Sequence, residues 1–369
     1  MTAVKSDLTD QAHMLSALTL ARRGLGNVAP NPAVACIIVS KTGQVAGRGV
    51  TGDGGRPHAE TIAIARAGTQ CQGATAYVSL EPCDHHGQTP PCSQALIDAG
   101  IRRAVVACTD TDPRVAGQGI KRLRDAGIDV IEGVCEDIAR DLNAGFFKRV
   151  SEGRPLFTLK MATSLDGRIA TATGASKWIT GPGARAHVHM VRAGHDAIMI
   201  GIGTALADNP SLDCRLPGME ERSPLPIIAD SSLRLPETAR VLDRQPVILT
   251  LGGNDPDKTK RLQGRGATII ELQANSAGHP DTRSMAKALG ELGLTRVMIE
   301  GGGVLAGAFM AAGLVDRLEW FQGAKIIGGD GLSAVAGFGV KEMTDVTEFS
   351  LVQVQKIDGD LHHSYTRNL

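Results

Sequence analysis

The stretch SLEPCDHHGQTPPC, residues 79–92, decides how the first half of this chain folds. Cys83 ends a predicted strand, and Cys92 begins a predicted helix after a proline-rich loop. Upstream, HAETIAIARAG reads as a helix that opens with His58 and places Glu60 two residues later. One imidazole and two thiolates are the ligands of a catalytic zinc that keeps a fourth position for water. The spacing therefore predicts a zinc site, one ion per chain, at His58, Cys83 and Cys92.

Glu60 is the predicted proton shuttle of this site, because it can reach a water on the metal without being a ligand. Zinc lowers the pKa of such a water, and a carboxylate can pass its proton to a leaving ammonia. Both cysteines are expected near helix N-termini, where the dipole favours thiolate. Two alternatives stay open. The zinc could be structural, with His85 or His86 as a fourth ligand, or the three residues could be unrelated.

Outward from this motif, strands and helices alternate along the whole chain. The first series begins with a helix through residues 14–21 and predicts a layered α/β domain over residues 1–150. The stretch VSEGRP, residues 150–155, has the composition of a linker. A second series follows over residues 151–369, with continuous apolar strands typical of a mostly parallel sheet covered on both faces. Helices are predicted at 181–194, 282–292 and 303–313, and the tail from about 317 reads as extra strands.

Composition limits the classes of partner. Lysine plus arginine equals aspartate plus glutamate at 39 each, so net charge predicts neither a nucleic-acid nor a membrane partner. No apolar run approaches membrane-spanning length, and the N-terminus lacks a signal-peptide pattern. Seven cysteines spread over 369 residues favour a reduced compartment, and we expect a cytoplasmic protein. Cys36 and Cys108 lie on apolar strands and are predicted to be small core residues.

The H-x-E and P-C…C arrangement is the signature of nucleobase deaminases. Here the second half is P-C-x8-C rather than P-C-x2-C. With Asn31-Pro32 and DPRVAGQGI (112–120), this resembles the deaminase domain of the bifunctional riboflavin-biosynthesis family over residues 10–147. The resemblance implies a cytidine-deaminase-like three-layer α/β domain.

The same resemblance suggests two pyrimidine contacts. His86, the second histidine of HHG, would approach the substrate, and the alternative is a capped loop histidine. Asn31 would hold the pyrimidine edge, because an amide offers both a donor and an acceptor, and the alternative is a turn residue. Thr51 stands where the family often has a histidine, so no substrate contact is carried over there.

The second half resembles the reductase domain of the same family, which is similar in fold to dihydrofolate reductase. The resemblance is carried by FTLKMATSLDGRIATATGASKWITG (157–181), MIGIGTALADNPSLDCR (199–215), LPIIADSSLRLP (225–236) and VMIEGGGVLAGAF (297–309). It implies NADPH contacts from Ala162, Trp178, Thr204, Asp208, Ser231, Gly302, Gly303, Val304, Leu305, Ala306, Gly307 and Ala308. It implies substrate contacts from Ser176, Arg192, Leu212, Arg215 and Glu300.

The chemistry of these residues agrees with the implied roles, although a purely structural interpretation remains for each of them. The glycines after Glu300 follow a strand and open a helix, where bare backbone can approach a pyrophosphate, but a glycine run can also be a simple turn. Arg192 and Arg215 suit phosphate, or form surface ion pairs. Lys160 either lines a cleft or is a solvated edge residue. Trp178 either packs against the cofactor or is a core residue. Asp208 either follows a strand end, where ligands collect, or caps a helix.

The resemblance implies hydrolytic deamination of a diamino(phosphoribosylamino)pyrimidinone, followed by NADPH reduction of the ribosyl chain. The expected partner is therefore a small phosphoribosyl pyrimidine, and the family tends to form homodimers. Three alternatives stay open: a nucleic-acid deaminase fused to a reductase-like module, a binding protein with an inactive domain, and a pterin reductase in the second half. Balanced charge and few aromatic residues (3%) argue against the first. The intact set of ligands argues against the second for the first half.

Overall fold

The structure, a computed structural model, describes residues 8–84, 90–112 and 116–368. The chain divides into two compact units, Met1–Gly153 and Arg154–Leu369. His85 and His86 lie outside the described residues. None of the described helices is both long and apolar enough to cross a bilayer.

The first unit is built on a five-stranded sheet with the order β2-β1-β3-β4-β5. β1 is antiparallel to β2 and β3, whereas β3, β4 and β5 are parallel. Its elements in chain order are α1 (Leu8–Arg22), β1 (Ala35–Val39), β2 (Val45–Val50), α2 (Ala59–Ala67), β3 (Thr75–Val78), α3 (Cys92–Asp98), β4 (Arg103–Val106), α4 (Gln118–Asp125), β5 (Asp129–Glu132), α5 (Glu136–Leu142) and α6 (Ala144–Glu152).

Side chains of β1 alternate between two apolar clusters, one on each face of the sheet. Ile37 packs with residues of α1 and α5, whereas Cys36 and Ile38 pack with residues of α2, α3 and α4. The predicted three-layer α/β arrangement is therefore present. Cys36 and Cys108 are both buried in these clusters, as expected.

Close packing of α2 on β2 positions the start of α2. A Cβ atom at Gly49 would lie 2.0 Å from the carbonyl oxygen of Ala59, so only glycine permits this approach. The spacing of the two elements therefore depends on a residue without a side chain.

The prediction of a linker over residues 150–155 is wrong for residues 150–152, which are helical. α6 continues to Glu152, and Gly153 ends it with a positive φ of 69°. Phe146 is buried, and Lys148 pairs with Glu152 at 2.9 Å one turn later, so both packing and an ion pair extend the helix. Polar composition alone could not reveal this support.

The second unit contains a nine-stranded sheet with the order β11-β10-β9-β8-β12-β6-β13-β16-β15. The strands from β11 to β13 are parallel, and β16 and β15 are antiparallel additions. The elements are β6 (Leu156–Thr163), β7 (Arg168–Ala170), α7 (Pro182–Ala193), β8 (Ala197–Gly201), α8 (Ile202–Asp208), β9 (Leu225–Ala229), β10 (Val247–Leu251), α9 (Pro256–Gly264), β11 (Thr268–Leu272), α10 (Thr282–Glu291), β12 (Arg296–Glu300), α11 (Gly303–Ala311), β13 (Arg317–Gln322), β14 (Leu332–Ser333), β15 (Phe349–Ile357) and β16 (Asp360–Arg367).

Apolar clusters cover both faces of this sheet, as the continuous apolar strands predicted. Met199 of β8 belongs to one cluster, and its neighbours Ile198 and Ile200 belong to another. The tail does form extra strands. The stretch GIGTALAD, interpreted as a strand end, is instead mostly the helix α8, so Asp208 is a helix terminus rather than a loop residue.

Candidate functional site

Three potential metal ligands converge in the first unit. His58 immediately precedes α2, Cys83 follows β3, and Cys92 is the first residue of α3. His58 Nδ1 lies 3.1 Å from Cys92 Sγ and 3.5 Å from Cys83 Sγ, and all three ligand atoms lie within 4.8 Å of one another. In the described part of the chain, no fourth His, Cys, Asp or Glu joins this group. One nitrogen and two sulfurs fit a zinc ion that retains an open coordination position.

Helix α3 stabilises negative charge at this group. The Cys92 backbone N–H donates to Cys83 Sγ at 3.4 Å, so both cysteines use the same helix start. Hydrogen bonds from Cys92 and His58 outweigh burial and lower the pKa of Cys83 to about 4. The pKa of Cys92 is raised, because its thiol bonds to Cys83 and is buried. A cation between the sulfurs favours thiolate at both positions.

Glu60 lies beside the three ligands on the first turn of α2. The residue is 3% exposed, and burial, followed by the charge of Cys83, raises the pKa of its carboxyl to about 7. A carboxyl with this pKa can both accept and release a proton near neutrality. Glu60 thus lies outside the ligand group, and its role as a proton shuttle stays a prediction.

Asn31 and Thr51 lie on adjoining loop segments. Asn31 is half-buried, and its Nδ2 lies 3.4 Å from the carbonyl oxygen of Gly54. Thr51 is buried and accepts a hydrogen bond from the Val34 backbone N–H at 3.0 Å. Its hydroxyl also lies 3.3 Å from the carbonyl oxygen of Pro32. Thr51 thus stabilises the backbone next to Asn31 through hydrogen bonds within the protein.

Glu81 is a buried residue that the sequence analysis missed. Its carboxylate accepts hydrogen bonds from the backbone N–H groups of Asp110, Gly117, Gly119 and Ile120 at 2.9–3.3 Å. It therefore joins the strand end before Cys83 to the start of α4. Its place two residues before Cys83 is the only local signal, because the donors lie 29 to 39 residues further along the chain.

In the second unit, a cavity of about 940 Å³ brings together most of the residues predicted to bind NADPH and substrate. It lies where β6, β8 and β12 end, the edge at which open α/β sheets collect ligands. The predicted residues that line it are Ala162, Ser176, Trp178, Arg192, Thr204, Asp208, Leu212, Arg215, Ser231, Glu300, Gly302, Gly303, Val304, Leu305 and Ala308.

Ala306 and Gly307 do not line this cavity. Ala306 is buried in an apolar cluster, and a Cβ at Gly307 would lie 2.8 Å from the carbonyl oxygen of Ala336. Both face away because the helical period places Val304, Leu305 and Ala308 on the face toward the cavity and these two residues on another face. Gly302, with φ of 84°, caps the start of this helix at the cavity wall.

A buried charged cluster lines one wall. Lys160 and Glu300 are register partners on the neighbouring strands β6 and β12, and Lys160 Nζ lies 3.1 Å from the Glu300 carboxylate. Arg192 bonds the same carboxylate through Nε at 2.9 Å and Nη2 at 3.0 Å. Burial would raise the pKa of Glu300, but the two cations outweigh it and hold that pKa well below its usual range. Lys160 is therefore not a solvated edge residue, and the Arg192 pair is buried rather than superficial.

Trp178 is a cavity wall and not a core residue. The side chain is 60% exposed, and the Arg185 guanidinium lies 4.2 Å from its ring centroid. A cation over an aromatic face is attracted by the ring quadrupole. The contact with Arg185 therefore stabilises the exposed indole of Trp178.

Both units of the chain match known protein families. Residues 8–108 match the family described as cytidine and deoxycytidylate deaminase zinc-binding region, and residues 155–363 match the RibD C-terminal domain. The riboflavin biosynthesis protein RibD of Bacillus amyloliquefaciens is 40% identical over 356 residues, which cover 95% of each chain. The protein of the same name from Escherichia coli K12 is 38% identical over 365 residues, covering 96% of this chain and 98% of the relative.

Two solved structures are similar to this chain over nearly its full length. Acinetobacter baumannii RibD, form 1, has a TM-score of 0.88 at 38% identity and covers 98% of this chain and 99% of its own. The structure of a diaminohydroxyphosphoribosylaminopyrimidine deaminase/5-amino-6-(5-phosphoribosylamino)uracil reductase from Thermotoga maritima has a TM-score of 0.86 at 32% identity, with the same coverage. The predicted fold classes, cytidine-deaminase-like and dihydrofolate-reductase-like, are confirmed. The chain therefore belongs to the RibD family of bifunctional riboflavin biosynthesis proteins.

Proposed function

We propose that this enzyme deaminates 2,5-diamino-6-(5-phosphoribosylamino)pyrimidin-4-one in its first unit and reduces the ribosyl chain of the product in its second. The observation that carries the proposal is the buried Glu60 beside the convergent His58, Cys83 and Cys92. The product of both steps is 5-amino-6-(5-phosphoribitylamino)uracil.

In the deaminase unit, His58, Cys83 and Cys92 would hold zinc, which supplies a Lewis acid with an open position for water. Glu60 accepts the proton of the attacking water, because its pKa of about 7 leaves it partly ionised at neutral pH. The water oxygen bonds to the ring carbon that carries the amino group. The adjacent ring nitrogen takes up one proton of the water and Glu60 delivers the other to the amino nitrogen, so the C–N bond breaks, ammonia leaves, and the oxygen remains as a carbonyl.

Substrate recognition in this unit is assigned to Asn31 and His86. The half-buried amide of Asn31 offers a donor and an acceptor to the pyrimidine edge. Thr51 supports this loop through the protein rather than through the substrate, since its three hydroxyl contacts are all to backbone.

In the reductase unit, NADPH supplies the hydride for C1′ of the ribosyl group. The cavity-lining residues of α11, together with Ala162, Trp178, Thr204, Asp208 and Ser231, would bind this cofactor. Ser176, Arg192, Leu212, Arg215 and Glu300 would bind the substrate. Glu300 is ionised and doubly paired, so it is suited to orient hydroxyl groups rather than to donate a proton.

We also propose a homodimer in the cytoplasm. The edge strand β15 is exposed along most of its length, with Leu351, Val352 and Val354 at 57%, 66% and 50% exposure. An exposed apolar edge strand is prone to pair with another chain. None of the seven cysteines forms a disulfide, which suits a reducing compartment.

The experiment is to incubate the full chain with the diaminopyrimidine substrate and NADPH, following ammonia release and NADPH absorbance separately. Without NADPH, we expect ammonia but no ribityl product. After zinc removal by a chelator, we expect no ammonia, while separately supplied 5-amino-6-(5-phosphoribosylamino)uracil is still reduced. Ammonia release that survives zinc removal would contradict the assignment, and so would reduction of a pterin in preference to the uracil.

A further inference from the structure

Two residues beside the metal ligands join the chain segments that carry the two cysteines. Asp84 directly follows Cys83, and Ser93 directly follows Cys92 on α3. The Ser93 hydroxyl donates to Asp84 Oδ1 at 2.6 Å, and the Ser93 backbone N–H donates to the Cys83 carbonyl oxygen at 3.2 Å. With the bond from the Cys92 N–H to Cys83 Sγ, three hydrogen bonds connect the two short segments. The separation of the two sulfurs is therefore set by contacts next to the ligands.

The hydrogen bond between Ser93 and Asp84 is shielded from water. Ser93 is fully buried, and the Asp84 side chain is only 11% exposed. A hydroxyl that donates to a carboxylate forms a short and strong hydrogen bond, and a buried hydroxyl that loses its partner is costly. This bond is therefore the side-chain contact that ties the first cysteine segment to the start of α3.

Helix α4 holds the Asp84 carboxylate from another direction. The Arg122 guanidinium pairs with Asp84 Oδ1 through Nε, and its Nη1 donates to Gln94 Oε1 on α3 at 3.1 Å. The same helix lies close to the residue that precedes the first cysteine, because a Cβ atom at Gly119 would lie 1.9 Å from the Pro82 carbonyl oxygen. Helix α4 therefore contacts this segment on both sides of its metal ligand.

We propose that Asp84 is a positioning residue of the deaminase unit, which holds Cys83 and Cys92 at the separation that zinc requires before the metal binds. The proposal rests on the proposed function for the identity of the metal. Asp84 itself is not one of the three ligands. Ligands that are already held in place lose less conformational entropy when they close around an ion, so the ion binds more tightly.

The test compares the zinc affinity of variants at this pair. The dissociation constant of zinc, Kd, is measured for the full chain at neutral pH by competition with a metallochromic chelator. For Asp84→Ala we expect Kd to rise about 10- to 100-fold with all three ligands intact. Ser93→Ala breaks the same hydrogen bond from its other end, and the double variant should exceed Asp84→Ala by less than about twofold, because coupled substitutions are not additive. Asp84→Asn keeps an oxygen that can accept from Ser93 and should recover most of the loss.

Asp98→Ala is the matched control, because it removes a carboxylate from the same helix whose contact, Gln94 Nε2 at 2.8 Å, is exposed. It should leave the Kd of zinc unchanged. Cobalt(II) loaded in place of zinc reports ligand geometry through its visible absorption bands, which should shift in Asp84→Ala and not in Asp98→Ala. An unchanged Kd in Asp84→Ala, or a weaker Kd with a wild-type cobalt spectrum, would overturn the proposal. Should Asp84→Ala fail to fold, a wild-type Kd in Ser93→Ala would overturn it as well.

Zinc binding measured without substrate separates this proposal from the proposed function. If the wild-type chain binds zinc but releases no ammonia from the diaminopyrimidine, the proposed function is wrong, and the comparison of Kd values still decides the role of Asp84. If the wild-type chain deaminates its substrate and Asp84→Ala binds zinc as tightly, only the role of Asp84 is wrong. Reduction of supplied 5-amino-6-(5-phosphoribosylamino)uracil should be the same in every variant, which shows that the second unit is intact.

Discussion

Glu60 illustrates how a single residue acquires its chemistry from its surroundings. An ordinary glutamate has a pKa near 4.5 and is a poor proton donor at neutral pH, whereas burial beside Cys83 raises this pKa to about 7. Each pKa unit corresponds to about 1.4 kcal/mol between the two protonation states. The shift therefore makes both protonation states of Glu60 accessible near neutral pH, as the proposed shuttle requires.

We predict that Glu60→Gln retains one zinc per chain but loses deaminase activity by about a thousandfold, because the amide cannot shuttle the proton. Zinc content is measured by elemental analysis and deamination by ammonia release. Reduction of supplied 5-amino-6-(5-phosphoribosylamino)uracil serves as the internal control and should be unaffected. Near-normal ammonia release from this variant would refute the role of Glu60.

At the scale of elements, the start of α4 depends on one buried carboxylate. Glu81 is 4% exposed and accepts four backbone N–H groups, three of them from residues 117–120, where α4 begins. The first N–H groups of a helix have no partner within the helix, so an external acceptor must satisfy them. Glu81 does this from the strand end that also leads to Cys83.

Glu81→Ala is predicted to destabilise the deaminase unit by about 3 kcal/mol, because several buried donors lose their acceptor together. The free energy of unfolding is measured by urea titration with zinc present. Asp125→Ala is the control on the same helix, where an exposed ion pair with Lys121 should contribute less than about 1 kcal/mol. Equal effects of the two substitutions would show that Glu81 is not the cap.

At the scale of the whole molecule, a buried neutral histidine links stability to pH. His195 is 5% exposed, donates from Nδ1 to the Val191 carbonyl oxygen at 2.7 Å, and accepts from the Thr158 hydroxyl at 2.8 Å. Burial, followed by the charge of Arg296, lowers its pKa to about 3. The unfolded chain therefore binds this proton more readily than the folded protein does.

Since the folded pKa lies below the unfolded value, the contribution of His195 to stability is complete above pH 6.5 and is lost as the pH falls toward 3. We predict a loss of about 1.4 kcal/mol for each pH unit across this window. Both tryptophans, Trp178 and Trp320, lie in the second unit, so tryptophan fluorescence during urea unfolding reports this unit. His195→Gln should flatten the pH dependence, and an unchanged slope would contradict the assignment.

The exposed edge strand β15 leads to a prediction about the oligomeric state. Val352→Lys should convert the proposed dimer to a monomer, because it places a charge on an apolar face that pairing would bury. Sedimentation equilibrium measures the mass. Gln355→Lys, at another exposed position of β15, should leave the dimer intact. A monomeric wild-type chain would contradict the dimer itself.

The sequence by itself determined the alternation of elements and the family, and it predicted the convergence of His58, Cys83 and Cys92 with Glu60 nearby, because these depend on short spacings and periodic patterns. His58 and Glu60 share the start of one helix, and Cys83 and Cys92 flank one loop. Most of the residues that the resemblance predicted to bind NADPH or substrate do line the reductase cavity.

Only the tertiary structure decided which side chains meet across long separations. The pairing of Lys160 with Glu300 spans 140 residues of the chain and follows from the register of β6 and β12. The capping role of Glu81 and the packing of Gly307 against Ala336 likewise depend on neighbours distant in sequence. The physical reason is that burial and hydrogen-bond partners are properties of packed elements, which no local pattern of residues specifies.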